Sequence, residues 1–262
     1  LMRSSAASDV YKRQNNIFSA LLGRFYTIQQ AGYYSQGSKW TTMGYSTIFG
    51  MINSVGQPVF REASEDRQRL QNIFRKLMRF TAFVSFPAML GLAIVSQELI
   101  VISITEKWLP CVPVMQILCV WGAFMPISTL YSNLMNSIGR PNVYMWNTIA
   151  LGIFQLLCVW GSYPYGLNIM LIVYTAANIF WLLIWHYFAH KHIGISLLNT
   201  LKDIAPYLII SVAVMTFTYW VAGYVKNIYL SLLVKIALAA SLYIFLMWSL
   251  KSTVFRESLQ YL

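Results

Sequence analysis

Charge is scarce in this chain, and negative charge scarcer still. Of 262 residues only 10% are charged, and Asp and Glu number 8 against 19 Lys and Arg. Soluble domains carry roughly 25% charged residues. Phe80–Gln97, Trp108–Gly139, Pro141–His190 and Ile204–Val225 contain no Asp, Glu, Lys or Arg. A bilayer core needs about 20 apolar residues per helical span, so these runs exclude a soluble fold and define an all-α, polytopic transmembrane bundle. Cysteine is nearly absent too, at 3, and no Cys-x-x-Cys occurs. Cys111 and Cys119 sit too far apart along a helix, roughly 12 Å, to form a disulfide. The 3 histidines, His186, His190 and His192, lie close together. The first two share a helix face, but a metal centre needs further ligands; no metal site and no cofactor are expected. No Asp falls in any span, so the acidic pair of a carboxylate-based cation-coupling site is missing from this stretch. The net charge of +11 reflects loop anchoring at a membrane surface, not nucleic-acid binding, for which no soluble basic face exists.

The first fourteen residues stand apart. Ser8–Gln14 reads SDVYKRQ, which resembles the translation of a transposon end used in sequencing-library preparation. Residues 1–14 are therefore set aside from fold reasoning, and the natural protein is expected to begin upstream. Residues 15–188 then form the main transmembrane unit. It opens on a truncated span over residues 15–28, followed by spans at 40–60, 80–104, 108–139, 143–161 and 169–188. The turn SYPYGLN, Ser162–Asn168, folds the longest apolar run back on itself. An interfacial linker covers 189–204, two further spans occupy 205–224 and 228–250, and a tail runs over 251–262. The expectation is seven full spans and one partial.

Basic residues alternate between loops. Arg61, Arg67, Arg69, Arg75, Lys76, Arg79, Arg140, Lys191, Lys202, Lys251 and Arg256 fall on one side, and Arg24, Lys39, Lys107, Lys226 and Lys235 on the other. The richer side is assigned to the cytoplasm, which places the C-terminus inside. Within residues 62–79, Leu70, Ile73, Phe74, Leu77 and Met78 recur at helical spacing. That predicts an amphipathic cytoplasmic helix capped by Ser64, with Arg75, Lys76 and Arg79 anchoring on lipid phosphates. His192–Ile204 is expected to lie as a second amphipathic segment in the interface plane.

Within the spans, Ser46, Gly50 and Ser54 are spaced for close helix approach. Asn53, Gln57 and Pro58 follow, and Pro87 and Pro126 interrupt two spans. Lys235 is expected to snorkel to the outer interface. Kinked helices with in-membrane amides suit a transporter that rocks about a central cavity.

Several strings carry a family resemblance: AGYYSQGSKW (Ala31–Trp40), INSVGQPVFREAS with its basic loop, FPAMLGLAIVSQELI (Phe86–Ile100), EKWLPCVPVMQIL (Glu106–Leu118) and NSIGRPN (Asn136–Asn142). The chain resembles the C-terminal half of Wzx-type polysaccharide exporters, in the MOP superfamily that also contains lipid II flippases and MATE-type multidrug antiporters. The resemblance implies the C-terminal lobe of a fourteen-span transporter. That transporter would flip an undecaprenyl-diphosphate-linked oligosaccharide across the bacterial inner membrane by alternating access, for lipopolysaccharide or exopolysaccharide synthesis. It implies membrane lipids, the lipid-linked oligosaccharide and the polysaccharide polymerase and chain-length proteins as partners, and no enzymatic activity. Arg24, Asn53, Gln57 and Arg61 are the cavity residues expected from this chain. A multidrug antiporter of the same fold and an integral-membrane glycan-processing enzyme are the alternatives.

Overall fold

The computed structural model describes Gly23 and residues 25–250, and every regular element among them is helical. Helix α1 (Ile28–Glu62) is followed by α2 (Arg67–Ile94), short α3 (Ser96–Ile104), a 3₁₀ segment (Glu106–Cys111) and α4 (Val112–Ser137). Then come α5 (Pro141–Ser162), a 3₁₀ turn (Tyr163–Tyr165), α6 (Leu167–Ile193), α7 (Leu197–Ala222) and α8 (Ile228–Ser249). Six helical stretches, those containing α2, α4, α5, α6, α7 and α8, are long and apolar enough to cross a membrane. The chain is a multi-pass membrane protein. Helix α1 has 35 residues, about 52 Å at 1.5 Å per residue, so it has the length to span but carries a polar face. The truncated span expected over residues 15–28 lies almost wholly outside the described residues, as does the C-terminal tail.

Helix ends follow local chemistry. Thr27 and Gln30 form a reciprocal capping box at the start of α1. Asp66, not Ser64, caps α2, accepting from the N–H groups of Gln68 and Arg69 at 2.9 and 3.0 Å. Ser64 instead donates to the Arg61 carbonyl and helps close α1. Asn227 caps α8.

Helix α4 is the hub. It packs against α1, α2 and α6, and α2 in turn holds α7. Phe60, Phe74, Ile127, Leu130 and Leu134 are among the fully buried side chains. Lipid tails are as apolar as these residues, so close packing and polar links must hold the helices together. Gly37 supplies one close approach: a Cβ there would lie 3.0 Å from Val114 Cγ1 and 3.1 Å from the Met115 backbone nitrogen. Among the described residues, the small-residue seam expected at Ser46, Gly50 and Ser54 makes no contact. All three are exposed, and nothing lies within 4 Å of a Cβ at Gly50. Gly37→Leu should therefore lower stability by about 1–3 kcal/mol through overpacking, whereas Gly50→Leu should cost under half of that; unfolding in detergent compares the two, and equal losses would contradict this packing.

Two expected interfacial segments are parts of spanning helices. The stretch predicted to lie on the membrane before the third span forms the first turns of α2, with Leu70, Phe74 and Met78 buried in the protein core. The segment around Leu197–Ile204 begins α7 without a break. The two meet through charge. Arg75 forks onto Asp203, Nε to Oδ2 at 2.7 Å and Nη2 to Oδ1 at 3.1 Å. Arg79 Nη1 stands 3.6 Å from Asp203 Oδ1. Arg67 Nε donates to the Ile193 carbonyl at 3.0 Å, and the Gln71 amide donates to the same oxygen. Arg75 and Arg79 thus face a protein carboxylate, while Lys76 is exposed.

At the opposite end the last span is tied down by Lys235. It does not snorkel: it is 5% exposed, donates to the Ile94 carbonyl at 2.9 Å and to Glu98 Oε1, and lies 5.4 Å from the Tyr219 ring centroid. The reason is local. Helix α2 stops at Ile94, leaving end carbonyls without helical partners, and Val95 redirects the chain so that Glu98 on α3 is buried beside them. The Ile94 carbonyl and the Glu98 carboxylate together offer the ammonium a neutral and a charged acceptor there. Ser231 also donates to Glu98 Oε1, at 2.8 Å. Midway, Pro87 cannot donate to the Phe83 carbonyl, and the Tyr243 hydroxyl takes that place at 2.8 Å.

Candidate functional site

Successive polar positions on α1 fall on one face. Ser35, Lys39, Thr42, Ser46, Asn53, Gln57 and Arg61, with Gly50 among them, recur at intervals of three or four residues. All are exposed except Asn53, which is half-buried. The opposite face, with Tyr34, Gly37, Thr41, Tyr45, Ile48 and Ile52, is buried against the lobe. Lys39 and Arg61 are separated by about 33 Å of helix rise, close to the roughly 30 Å hydrocarbon thickness of a bilayer. A face this polar cannot sit in lipid tails, where every unsatisfied polar group costs several kcal/mol. It belongs against protein or a water-filled cavity.

Near the Arg61 end the stripe is organised by an amide relay. Asn133, on α4 and 3% exposed, donates from Nδ2 to Asn53 Oδ1 at 3.0 Å and accepts from Gln57 Nε2 at 3.1 Å. The Ser137 hydroxyl donates to the Gln57 carbonyl at 3.3 Å. This chain of bonds fixes the sense of both α1 amides. It leaves the Gln57 side-chain oxygen and part of each amide's donor capacity for a ligand. The arrangement can bind and orient polar and anionic groups along a path.

Of the expected cavity residues, Asn53, Gln57 and Arg61 share one face of α1, and Asn133 bonds to the first two. Arg24 lies outside the described residues. Sequence reasoning missed Lys39, assigning it to a loop; the repeat of polar positions from Ser35 to Arg61 was the signal that would have found it. Arg75 and Arg79 are away from this face, engaged with Asp203. The histidines have separate partners. His186 Nδ1 lies 3.2 Å from the Tyr131 hydroxyl, His190 Nδ1 2.9 Å from the Ile195 carbonyl, and His192 Nδ1 2.9 Å from the Phe188 carbonyl.

The described residues form a polytopic helical bundle with one membrane-length helix that carries a polar face. Its helical arrangement is that of the lipid II flippase MurJ in an inward closed conformation, with a TM-score of 0.60 at 17% identity, over 84% of this chain and 48% of that one. Residues 8–113 match the family model described as polysaccharide biosynthesis protein; the match begins within the stretch set aside above. An uncharacterized membrane protein in the cps region of Klebsiella pneumoniae is 30% identical over 110 residues, 42% of this chain and 23% of that protein. The lipopolysaccharide biosynthesis protein WzxC of Escherichia coli K12 is 26% identical over 151 residues, 57% of this chain and 31% of its own length. The teichuronic acid biosynthesis protein TuaB of Bacillus subtilis 168 is 26% identical over 140 residues, 53% and 29% of the two chains. The aligned stretches thus span under a third of the curated relatives. The expected resemblance to Wzx-type proteins is borne out by sequence in the first part of the chain, and over most of the chain the fold is like that of a lipid II flippase.

Proposed function

We propose that the chain is the C-terminal lobe of a flippase that carries an undecaprenyl-diphosphate-linked oligosaccharide from the cytoplasmic to the outer leaflet of the bacterial inner membrane. The polar face of α1 lines its share of the path. That face is the observation that carries the reading, because a stripe as long as the bilayer is thick requires a polar partner along its whole length. In this reading the cation-rich end faces the cytoplasm, with the C-terminus on that side. Arg61 meets the incoming diphosphate, the Asn53–Asn133–Gln57 relay hydrogen-bonds its oxygens, and Lys39 receives it farther out. Arg24 is placed with them as a cavity cation, and Lys76 contacts lipid headgroups. A lobe opposite α1, from the rest of the exporter, closes the path, and the polymerase and chain-length proteins of polysaccharide synthesis act on what is delivered.

Transport assays test this directly. In the complete exporter, expressed in a strain lacking other flippases, Lys39→Gln and Arg61→Gln should each reduce the appearance of lipid-linked oligosaccharide in the outer leaflet at least tenfold. That corresponds to about 1.4 kcal/mol or more of lost stabilisation along the path. Lys107→Gln, in the loop before α4, should leave it within twofold. Unchanged export in both stripe variants would remove the polar face from the pathway.

A further inference from the structure

A cleft of about 440 Å³ opens at the cation-poor end of the lobe, between the first turns of α1, the 3₁₀ segment before α4 and the turn joining α5 to α6. Its volume falls within the roughly 300–1,000 Å³ of small-molecule sites. It lies away from the polar stripe: Gln30 and Tyr33, its α1 residues, project from the side of the helix opposite Ser46 and Gln57. The cleft is therefore separate from the path proposed above.

Its chemistry is specific. Two tyrosines, Tyr33 and Tyr165, and two amides, Gln30 and Asn168, line it. Tyr33 is braced by an edge-on contact with Trp108, with ring centroids 6.2 Å apart, whereas Tyr165 is 69% exposed. The start of α6 forms one wall. Gly166, at φ 95°, is its N-cap and offers no side-chain cap, so the first-turn N–H groups of Leu167, Asn168 and Ile169 keep donor capacity. Among the described residues lining the cleft there is no Lys, Arg, His, Asp or Glu.

From this combination we infer that the cleft is a glycan subsite on the outer rim, taking a short neutral stretch of oligosaccharide. Flat aromatic faces match the apolar C–H faces of sugar rings, and amides and backbone N–H groups match their hydroxyls. A phosphate would lack a counter-cation here. An acyl chain would strand the amides and N–H groups without partners, at a cost of roughly 1–3 kcal/mol each. The inference rests on the transport reading for the source of the sugar, and gives the delivered oligosaccharide a resting place beside the exit.

Isothermal titration of the complete exporter in lipid nanodiscs tests it. The probes are the repeat-unit oligosaccharide released by mild acid from the host's surface polysaccharide, and inorganic pyrophosphate. The oligosaccharide should bind saturably and pyrophosphate should not compete. Asn168→Ala and Tyr165→Ala should each weaken binding at least fivefold. Tyr165→Phe, which keeps the ring, should stay within twofold, and Lys191→Gln, an exposed position at the far end of α6, should change nothing. Competition by pyrophosphate, absence of saturable binding, or equal affinity in Asn168→Ala and Tyr165→Ala would each overturn the assignment. Export by the complete protein is measured in parallel. Normal export without sugar binding sinks the subsite alone, while sugar binding without export sinks the transport reading alone.

Discussion

Lys235→Met is expected to be the most destabilising single substitution at the last span. It removes the positive member of a buried pair and leaves the Glu98 carboxylate with only the Ser231 hydroxyl on Oε1; Glu98 Oε2 has no hydrogen-bond partner among the described residues. Breaking a buried ion pair from one side costs about 3–5 kcal/mol, while replacing both members with neutral groups of similar volume is often close to neutral. The double variant Glu98→Gln/Lys235→Met should therefore recover most of the loss. Unfolding in mixed detergent micelles, followed by helix content, measures both. A double variant as unstable as Lys235→Met alone would mean that the lysine acts through packing, not through its charge.

The second large effect is expected in transport rather than stability. Asn133→Leu deletes the centre of the amide relay. Interhelical hydrogen bonds in membranes average about 0.6 kcal/mol, so losing the two that Asn133 makes to Asn53 and Gln57 should cost roughly 1 kcal/mol in folding, a tolerable amount. The Asn53 and Gln57 amides would then be free to rotate, and the ordered set of donors and acceptors facing the path would be lost. Export of lipid-linked oligosaccharide by the complete protein should fall at least tenfold while expression and thermal stability stay near the parent. Asn133→Gln should recover part of the rate. Full export by Asn133→Leu would show that the relay only packs α1 against α4.

Much of the membrane architecture could be read from the chain because bilayer physics is one-dimensional at that level. Charge-free runs mark spans, and Pro-Gly turns mark reversals, as at Ser162–Asn168. The structure's α5 and α8 begin and end within two residues of the expected bounds, whereas α6 runs five residues further and α7 begins eight residues earlier. What could not be read is which face of a helix meets protein and which meets lipid or water. Ser46, Gly50 and Ser54 have the spacing of a packing seam, yet the seam is on the other side of the same helix, where Gly37 meets α4. Lys235 was misplaced, and the segment that carries Asp203 was taken as interfacial, for a related reason. Their partners, Glu98 and Arg75, are far away in sequence, and a charge near a span end looks the same whether it reaches solvent or a buried counter-charge. For the candidate site, Asn53, Gln57 and Arg61 were legible as polar residues at the end of a span. Lys39 was not, because a basic residue beside Gly and Ser reads as loop until the helix is known to continue through it.

The Glu98–Lys235 pair spans 137 positions of sequence, and this separation bears on biogenesis. A lysine inside a hydrophobic segment opposes its entry into the bilayer by roughly 2.5–3.5 kcal/mol. Membrane insertion proceeds from the N-terminal end as the chain is made, so the carboxylate of Glu98 is already in place when the final hairpin emerges from the ribosome. The earlier helices thus act as a template for the last one, and Glu98→Gln should lower the fraction of newly made chains whose final segment becomes membrane-embedded.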